Sequence, residues 1–129
     1  MPNIPENLRY SKDHEWVEVN GDIATIGITD YAQSSLGDVV YVDLPRAGDK
    51  FDAHEAFGSV ESVKAVSEVF TPVGGQVTEV NEGLNDAPET VNTDPYGSAW
   101  FIKLKMDNPG EADGLLSAEE YEEYLSSME

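Results

Sequence analysis

Residues 57–70 read Phe57-Gly58-Ser59-Val60-Glu61-Ser62-Val63-Lys64-Ala65-Val66-Ser67-Glu68-Val69-Phe70. Val60, Val63, Val66 and Val69 recur every third residue, a spacing that suggests a helix. Valine is β-branched, however, and loses side-chain freedom against a helical turn, and the preceding Phe57-Gly58-Ser59 is strand-like. A hairpin with Val63-Lys64 at its tip agrees better with the short strands around it. That reading makes the chain mainly β.

Working outward, the same grammar recurs. Val17 and Val19 flank Glu18 before Asn20-Gly21, a strong hairpin signal, and Ala24, Ile26 and Ile28 alternate with Thr25 and Gly27 on the return. Residues 30–36 read as a short helix with Asp30 as N-cap and Gly37 as stop. Val39-Val40-Tyr41-Val42 is a continuous apolar run, as in a strand buried on both faces. Pro45-Arg46-Ala47-Gly48 and Pro72-Val73-Gly74-Gly75 are turn clusters. In residues 100–106, Trp100, Ile102, Leu104 and Met106 are predicted to face one way and Phe101, Lys103 and Lys105 the other. Only the end is convincingly helical. Ser117-Ala118-Glu119-Glu120 is a capping box, and Tyr121, Tyr124, Leu125 and Met128 form a stripe that can dock on a sheet. The acids Glu111, Asp113, Glu119, Glu120, Glu122, Glu123 and Glu129, with no base among them, read as a solvated face.

A chain of 129 residues fits one domain that buries roughly two-thirds of its unfolded surface. Asp+Glu number 26 against 7 Lys+Arg, a net charge of −19. Such a field repels phosphate backbones and anionic lipid, so neither nucleic acid nor membrane is expected as a partner. It favours solubility and contact with basic patches on other proteins; a saline host would be a second explanation. There is no cysteine, hence no disulfide, thiolate metal site or cysteine nucleophile. No apolar run approaches the ~20 residues that span a bilayer, and the first residues resemble neither a signal nor a transit peptide. A cytoplasmic protein is expected.

Enzyme machinery is missing. The two histidines, His14 and His54, lack ligand spacing, so no metal site is expected, and no nucleophile elbow, P-loop or dinucleotide fingerprint occurs. His14, in Asp13-His14-Glu15-Trp16, reads as a polar strand-edge residue rather than a base. Lys64 stands apart as the only Lys or Arg between Lys50 and Lys103. At a hairpin tip its ammonium is open to an enzyme that acylates it; an ordinary solubilising lysine is the bland alternative.

Glu61-Ser62-Val63-Lys64-Ala65 closely resembles the lipoylation motif of the glycine cleavage system H-protein family. The resemblance continues through Lys12-Asp13-His14-Glu15-Trp16, Ile26-Gly27-Ile28-Thr29-Asp30-Tyr31-Ala32-Gln33, Leu36-Gly37-Asp38-Val39-Val40-Tyr41-Val42-Asp43-Leu44-Pro45, Val77-Thr78-Glu79-Val80-Asn81 and Val91-Asn92-Thr93-Asp94-Pro95-Tyr96. The chain departs from the family pattern at Ala99, where many members have glycine, and at Tyr31, often histidine.

The resemblance implies a single lipoyl-carrier domain over residues 1–129, a flattened β-barrel or sandwich of the barrel-sandwich hybrid type. Short helices would flank it, and a C-terminal helix at about 117–127 would pack on it. It implies covalent lipoate on Lys64 as a swinging arm, on a monomeric carrier that catalyses nothing alone. Glycine decarboxylase (P-protein) would load the arm with the aminomethyl group of glycine. Aminomethyltransferase (T-protein) would pass the one-carbon unit to tetrahydrofolate, and dihydrolipoamide dehydrogenase (L-protein) would reoxidise the dithiol. Lipoate-attaching enzymes complete the expected partners. By motif match, Glu61 and Glu15 are associated with enzyme recognition or shelter of the arm; both also read as ordinary surface acids. With no cysteine on the chain, the lipoyl sulfurs would be its only exchange-competent pair.

Other lysine-bearing carriers fit less well. Biotinyl domains flank the lysine with methionines, and lipoyl domains of 2-oxo acid dehydrogenases usually carry Asp-Lys-Ala, whereas here the neighbours are Val63 and Ala65. A Schiff-base enzyme needs a pocket that lowers the lysine pKa, which a hairpin tip does not offer. An H-like chain that mainly relays lipoate to other complexes stays open on the sequence.

Overall fold

Turn residues at regular intervals break the chain into short strands in the computed structural model, which describes residues 4–127. In chain order they are β1 (Arg9–Tyr10), β2 (Glu15–Asn20), β3 (Ile23–Ile28), helix α1 (Asp30–Leu36), β4 (Val39–Asp43), β5 (Lys50–Phe51), β6 (Ala56–Ser62), β7 (Val66–Phe70) and β8 (Gly75–Val80). Short helices α2 (Gly83–Asp86) and α3 (Thr90–Thr93) lead to β9 (Ile102–Met106), a 3-10 turn (Pro109–Gly114) and α4 (Ala118–Ser127). The strands form a six-stranded sheet, β1-β2-β3-β9-β8-β5, and a three-stranded sheet, β4-β6-β7, with antiparallel pairing throughout.

The sheets do not close into one hydrogen-bonded barrel; they share a core. Val17, Ala24, Ile26, Ile102 and Leu104 of the larger sheet meet Val42, Val60 and Val69 of the smaller one. Removing the valine, isoleucine and leucine side chains among them from water contributes about 1.5–3 kcal/mol each. This is the barrel-sandwich arrangement expected of the sequence. A second cluster, with Tyr10, Trp16, Tyr121 and Leu125, seats α4 against β1 and β2. There the Tyr10 and Tyr121 rings stack at 4.7 Å and 6°. Gly27, the cross-strand partner of Trp16, carries no side chain for a physical reason: a Cβ there would fall 2.7 Å from the indole.

The hairpin expected at residues 57–70 is present as β6 and β7, with Val60 paired to Ser67 and Glu61 to Val66. The valine period is that of a folded ribbon. Val60 and Val69 enter the core, while Val63 and Val66 are 71% and 65% exposed. The capping box also forms. Glu120 N–H donates to Ser117 Oγ at 3.2 Å, and Ser117 N–H to Glu120 Oε1 at 2.9 Å. Tyr121 and Leu125 are buried as the stripe requires; Met128 lies outside the described residues.

Four local expectations are corrected. Asn20 still pairs with Ile23, so the first hairpin turns at Gly21-Asp22, with Gly21 supplying the left-handed φ of +68°. Thr29, not Asp30, caps α1: its side chain accepts from Ala32 N–H at 3.2 Å. The run Val39-Val40-Tyr41-Val42 is not buried on both faces, and Val40 and Tyr41 are 47% and 53% exposed. The reason is that, among the described residues, nothing covers β4 at Val40 and Tyr41, and a bulge between Val39 and Tyr41 interrupts the alternation. Alternation also fails at Trp100-Phe101, which precede β9: Phe101 turns into the main core and Trp100 packs against the aromatic cluster.

Candidate functional site

The β6–β7 turn needs only two residues because Ser62 braces it from below. Ser62 N–H donates to Ala65 O at 2.8 Å. Ser62 Oγ accepts from Ala65 N–H at 3.1 Å and Lys64 N–H at 3.3 Å, and Ser62 is itself buried. Val63 N–H donates to Asp38 O at 3.1 Å, which ties the tip to the loop after α1. That loop is fixed in turn by Asn92. Its side chain accepts from Val39 N–H at 2.8 Å and donates to Gly37 O at 2.8 Å and Gln33 Oε1 at 3.0 Å.

Lys64 therefore rises from a braced backbone, and its side chain is exposed. Its stem lies over Gly37, where a Cβ would come within 3.3 Å of Lys64 Cε. Gly37 also adopts φ +83° and ψ −158°, a combination that is essentially glycine's alone, while its N–H closes α1 on Gln33 O. Among the described residues no carboxylate pairs with Lys64 Nζ; Lys103–Glu79 at 3.6 Å is the ion pair found there.

Beside this platform runs a cleft of about 180 Å³, lined at one end by Ser35 and Leu36 and on its floor by Val60, Ser67 and Glu68. Its far wall is Asp13, His14, Glu15 and Tyr31. Drug-sized ligands occupy roughly 300–1,000 Å³, so this cleft suits the end of a slender group rather than a whole substrate. Its lining combines apolar side chains with the carboxyls of Asp13, Glu15 and Glu68.

Glu15 is no ordinary surface acid: it is 2% exposed. Ser11 Oγ donates to its Oε1 at 2.5 Å and Phe70 N–H to its Oε2 at 3.3 Å. Burial pushes its carboxyl up to about 7, against the pull of the Ser11 hydrogen bond. His14 is likewise not a plain strand-edge residue. It takes φ +69° just before β2, packs its ring against Tyr31 at 4.6 Å, and burial holds its pKa below the usual value. Glu61 stays exposed on β6, away from the cleft lining. The structure thus brings Glu15 to the cleft and leaves Glu61 outside it. Sequence reading missed Asn92 and Glu68 as site residues. Asn92 alone left a signal, standing in Val91-Asn92-Thr93-Asp94-Pro95-Tyr96, one of the stretches that resemble the family.

A sequence-family model described as Glycine cleavage H-protein matches residues 8–128. The glycine cleavage system H protein of Halothermothrix orenii is 53% identical over 127 residues, covering 98% of this chain and 99% of that protein. That of Geobacillus kaustophilus is 56% identical over 124 residues, covering 96% and 98%. The crystal structure of a glycine cleavage system H protein from Mycobacterium marinum superposes with a TM-score of 0.85 at 38% identity, covering 97% and 98%. The fold, the braced lysine and these likenesses converge: this chain belongs to the glycine cleavage H-protein family.

Proposed function

We propose that the chain is a non-catalytic lipoyl carrier of the glycine cleavage system, with lipoate joined by an amide to Lys64 Nζ. The observation that carries this is the two-residue tip: a rigid backbone presents an exposed lysine amine that, among the described residues, no carboxylate holds. When bound, lipoate supplies a dithiolane that accepts an aminomethyl group and, once reduced, gives up electrons. The residues fit such a group. Gly37 leaves room for the lysine stem, and the adjoining cleft accepts a narrow chain end.

What the protein itself contributes is shelter. Glu15, buried and titrating near neutrality, is held against Ser11 and Phe70, so an amine arriving in the cleft meets an acceptor already oriented. A cation there favours the carboxylate and releases the Glu15 proton. Glu68 and Asp13 add negative potential at the cleft, while Val60 and Val69 give it apolar lining. Glu61, on the exposed face beside the tip, is placed to be read by enzymes that dock on the hairpin.

The partners in this reading are glycine decarboxylase, aminomethyltransferase, dihydrolipoamide dehydrogenase and the lipoate-attaching enzymes, in the cytoplasm. The net charge of −19 would steer the carrier to basic rims and then allow quick release. Incubation with lipoate, ATP and a lipoate ligase, followed by peptide mapping, tests the assignment. Lipoyl on Lys64 supports it; lipoyl on Lys50 or Lys103, or biotin on Lys64 in protein from its host, would overturn it.

A further inference from the structure

The far wall of the cleft is tied to the C-terminal helix by a chain of polar hydrogens. Ala32 N–H donates to Thr29 Oγ1 at 3.2 Å; Thr29 Oγ1 and Tyr121 Oη are 2.8 Å apart; Tyr121 Oη and His14 Nδ1 are 2.9 Å apart. Thr29 and Tyr121 have no solvent exposure, so their hydroxyl hydrogens must find protein acceptors. Among the described residues, the acceptor found for the Thr29 hydroxyl is Tyr121 Oη, which directs the Thr29 hydrogen there. The Tyr121 hydrogen is then donated onward to His14 Nδ1. The opposite direction would leave the Thr29 hydrogen buried and unpaired, which costs more than an ordinary hydrogen bond gains.

An imidazole whose Nδ1 accepts carries its proton on Nε2. We propose that Tyr121 is a positioning residue: its hydroxyl fixes His14 as the neutral Nε2–H tautomer, giving the arm shelter one oriented donor next to the acceptor Glu15. This rests on the carrier reading above. The groups around the ring agree with a neutral imidazole. Tyr31 of α1 and Tyr121 and Tyr124 of α4 face it, and burial outweighs the neighbouring Asp13 in opposing its charge. Lys12 is engaged with the Tyr124 ring at 5.9 Å. The left-handed backbone at His14, uncommon outside glycine, is pinned on both sides: His14 N–H donates to Ser11 O at 3.2 Å, and Thr29 N–H donates to His14 O at 3.0 Å. A neutral donor suits the arm's sulfur or carbonyl and adds no charge to repel an amine; a cationic histidine would do so.

Nitrogen-15 spectra of the histidines in the full lipoylated chain test the tautomer directly. The wild type is expected to show an unprotonated Nδ1 and a protonated Nε2 at His14. Tyr121→Phe, which keeps the ring stacked on Tyr10, should admit the Nδ1–H form; Thr29→Ser, which keeps the hydroxyl chain, should not. With the arm loaded by glycine decarboxylase and glycine, hydrolysis consumes water and yields formaldehyde, ammonia and free thiol. Its rate should rise about five-fold in Tyr121→Phe, the worth of one hydrogen bond. A wild-type Nδ1–H signal, or an unchanged tautomer in Tyr121→Phe, would overturn the inference and leave the shelter reading standing. The wild-type spectrum decides this even if the variant does not fold. A shifted tautomer, with release unchanged in both Tyr121→Phe and Glu15→Gln, would instead overturn the shelter reading and the role given to Tyr121 with it.

Discussion

The two ends of the cleft are built on opposite plans. At the lysine end the restraints act mainly on backbone: Ser62 on the tip amides, Asp38 on Val63, Asn92 on the loop at Gly37, while among the described residues the Lys64 amine has no ion-pair partner. At the far end the side chains themselves are held, Glu15 by Ser11 and Phe70, His14 by Tyr121 and Tyr31. In the carrier reading proposed above, the difference follows from what each end would have to do. A group that must be reached by an attaching enzyme and then swing needs a rigid root and a mobile tip. A group that must receive a small cation gains most when its acceptor is oriented beforehand, because no ordering then remains to offset binding.

The contrast breaks most sharply at Lys64. Lys64→Arg should abolish lipoylation completely, read by intact mass, while changing stability by no more than about 0.5 kcal/mol, read by thermal unfolding. A large fall in melting temperature would mean that the lysine is structural and the two ends are not of different kinds.

Glu15 gives the next largest effect, and its sign is opposite to the usual carboxylate. Its folded pKa of about 7 lies above the ordinary 4.5, so the folded chain holds a proton that the unfolded chain has lost. The stability this provides is complete below about pH 4.5, declines as pH rises, and is gone above about 7. The span corresponds to about 3 kcal/mol. Unfolding of wild type and Glu15→Gln compared across this range should show the wild type losing ground to the variant as pH rises. A difference that is flat with pH would place Glu15 among the solvated acids.

Asn92 tests the backbone side of the comparison. Asn92→Ala removes three hydrogen bonds and leaves Val39 N–H and Gly37 O to seek other partners, a loss of about 2 kcal/mol. Because the tip is tied to this loop through Asp38, lipoylation of the folded variant should also slow. The same substitution should leave the Glu15 titration in place, since the far end is held separately.

Particular residues show how far the sequence could be read. The Val60 to Val69 ribbon, the Gly37 stop and the Ser117–Glu120 capping box are governed by neighbours within a few positions, and each forms where the residues imply. The isolation of Lys64 among bases is likewise a one-dimensional fact with a three-dimensional consequence. Glu15 is singled out by the family resemblance, but its burial is not legible locally: its Oε2 accepts from Phe70 N–H, 55 positions away. His14 and Tyr121 meet across 107 positions, and Asn92 reaches Val39 across 53. Val40 and Tyr41 were misjudged for the converse reason: an apolar run does not say whether a second layer will cover it.

The smallest expected effect, and the one that probes both plans together, is Gly37→Ala. An alanine at φ +83° and ψ −158° is strained by about 1–3 kcal/mol whatever the space around it. Its Cβ would also stand 3.3 Å from Lys64 Cε, close enough to push the flexible stem aside but not to disturb the braced tip. Stability should therefore fall by the strain alone. The displaced lysine stays exposed and acylable, so attachment should proceed at nearly the wild-type rate. What should change is the path from platform to cleft, since Leu36, the residue before Gly37, forms the near end of the lining. In a loaded carrier, Gly37→Ala should then shorten the life of the load several-fold while leaving the Glu15 titration untouched, measured by formaldehyde release and by carboxyl NMR. Attachment that fails together with shelter would mean that Gly37 belongs to the lysine's root rather than to the stem's resting place.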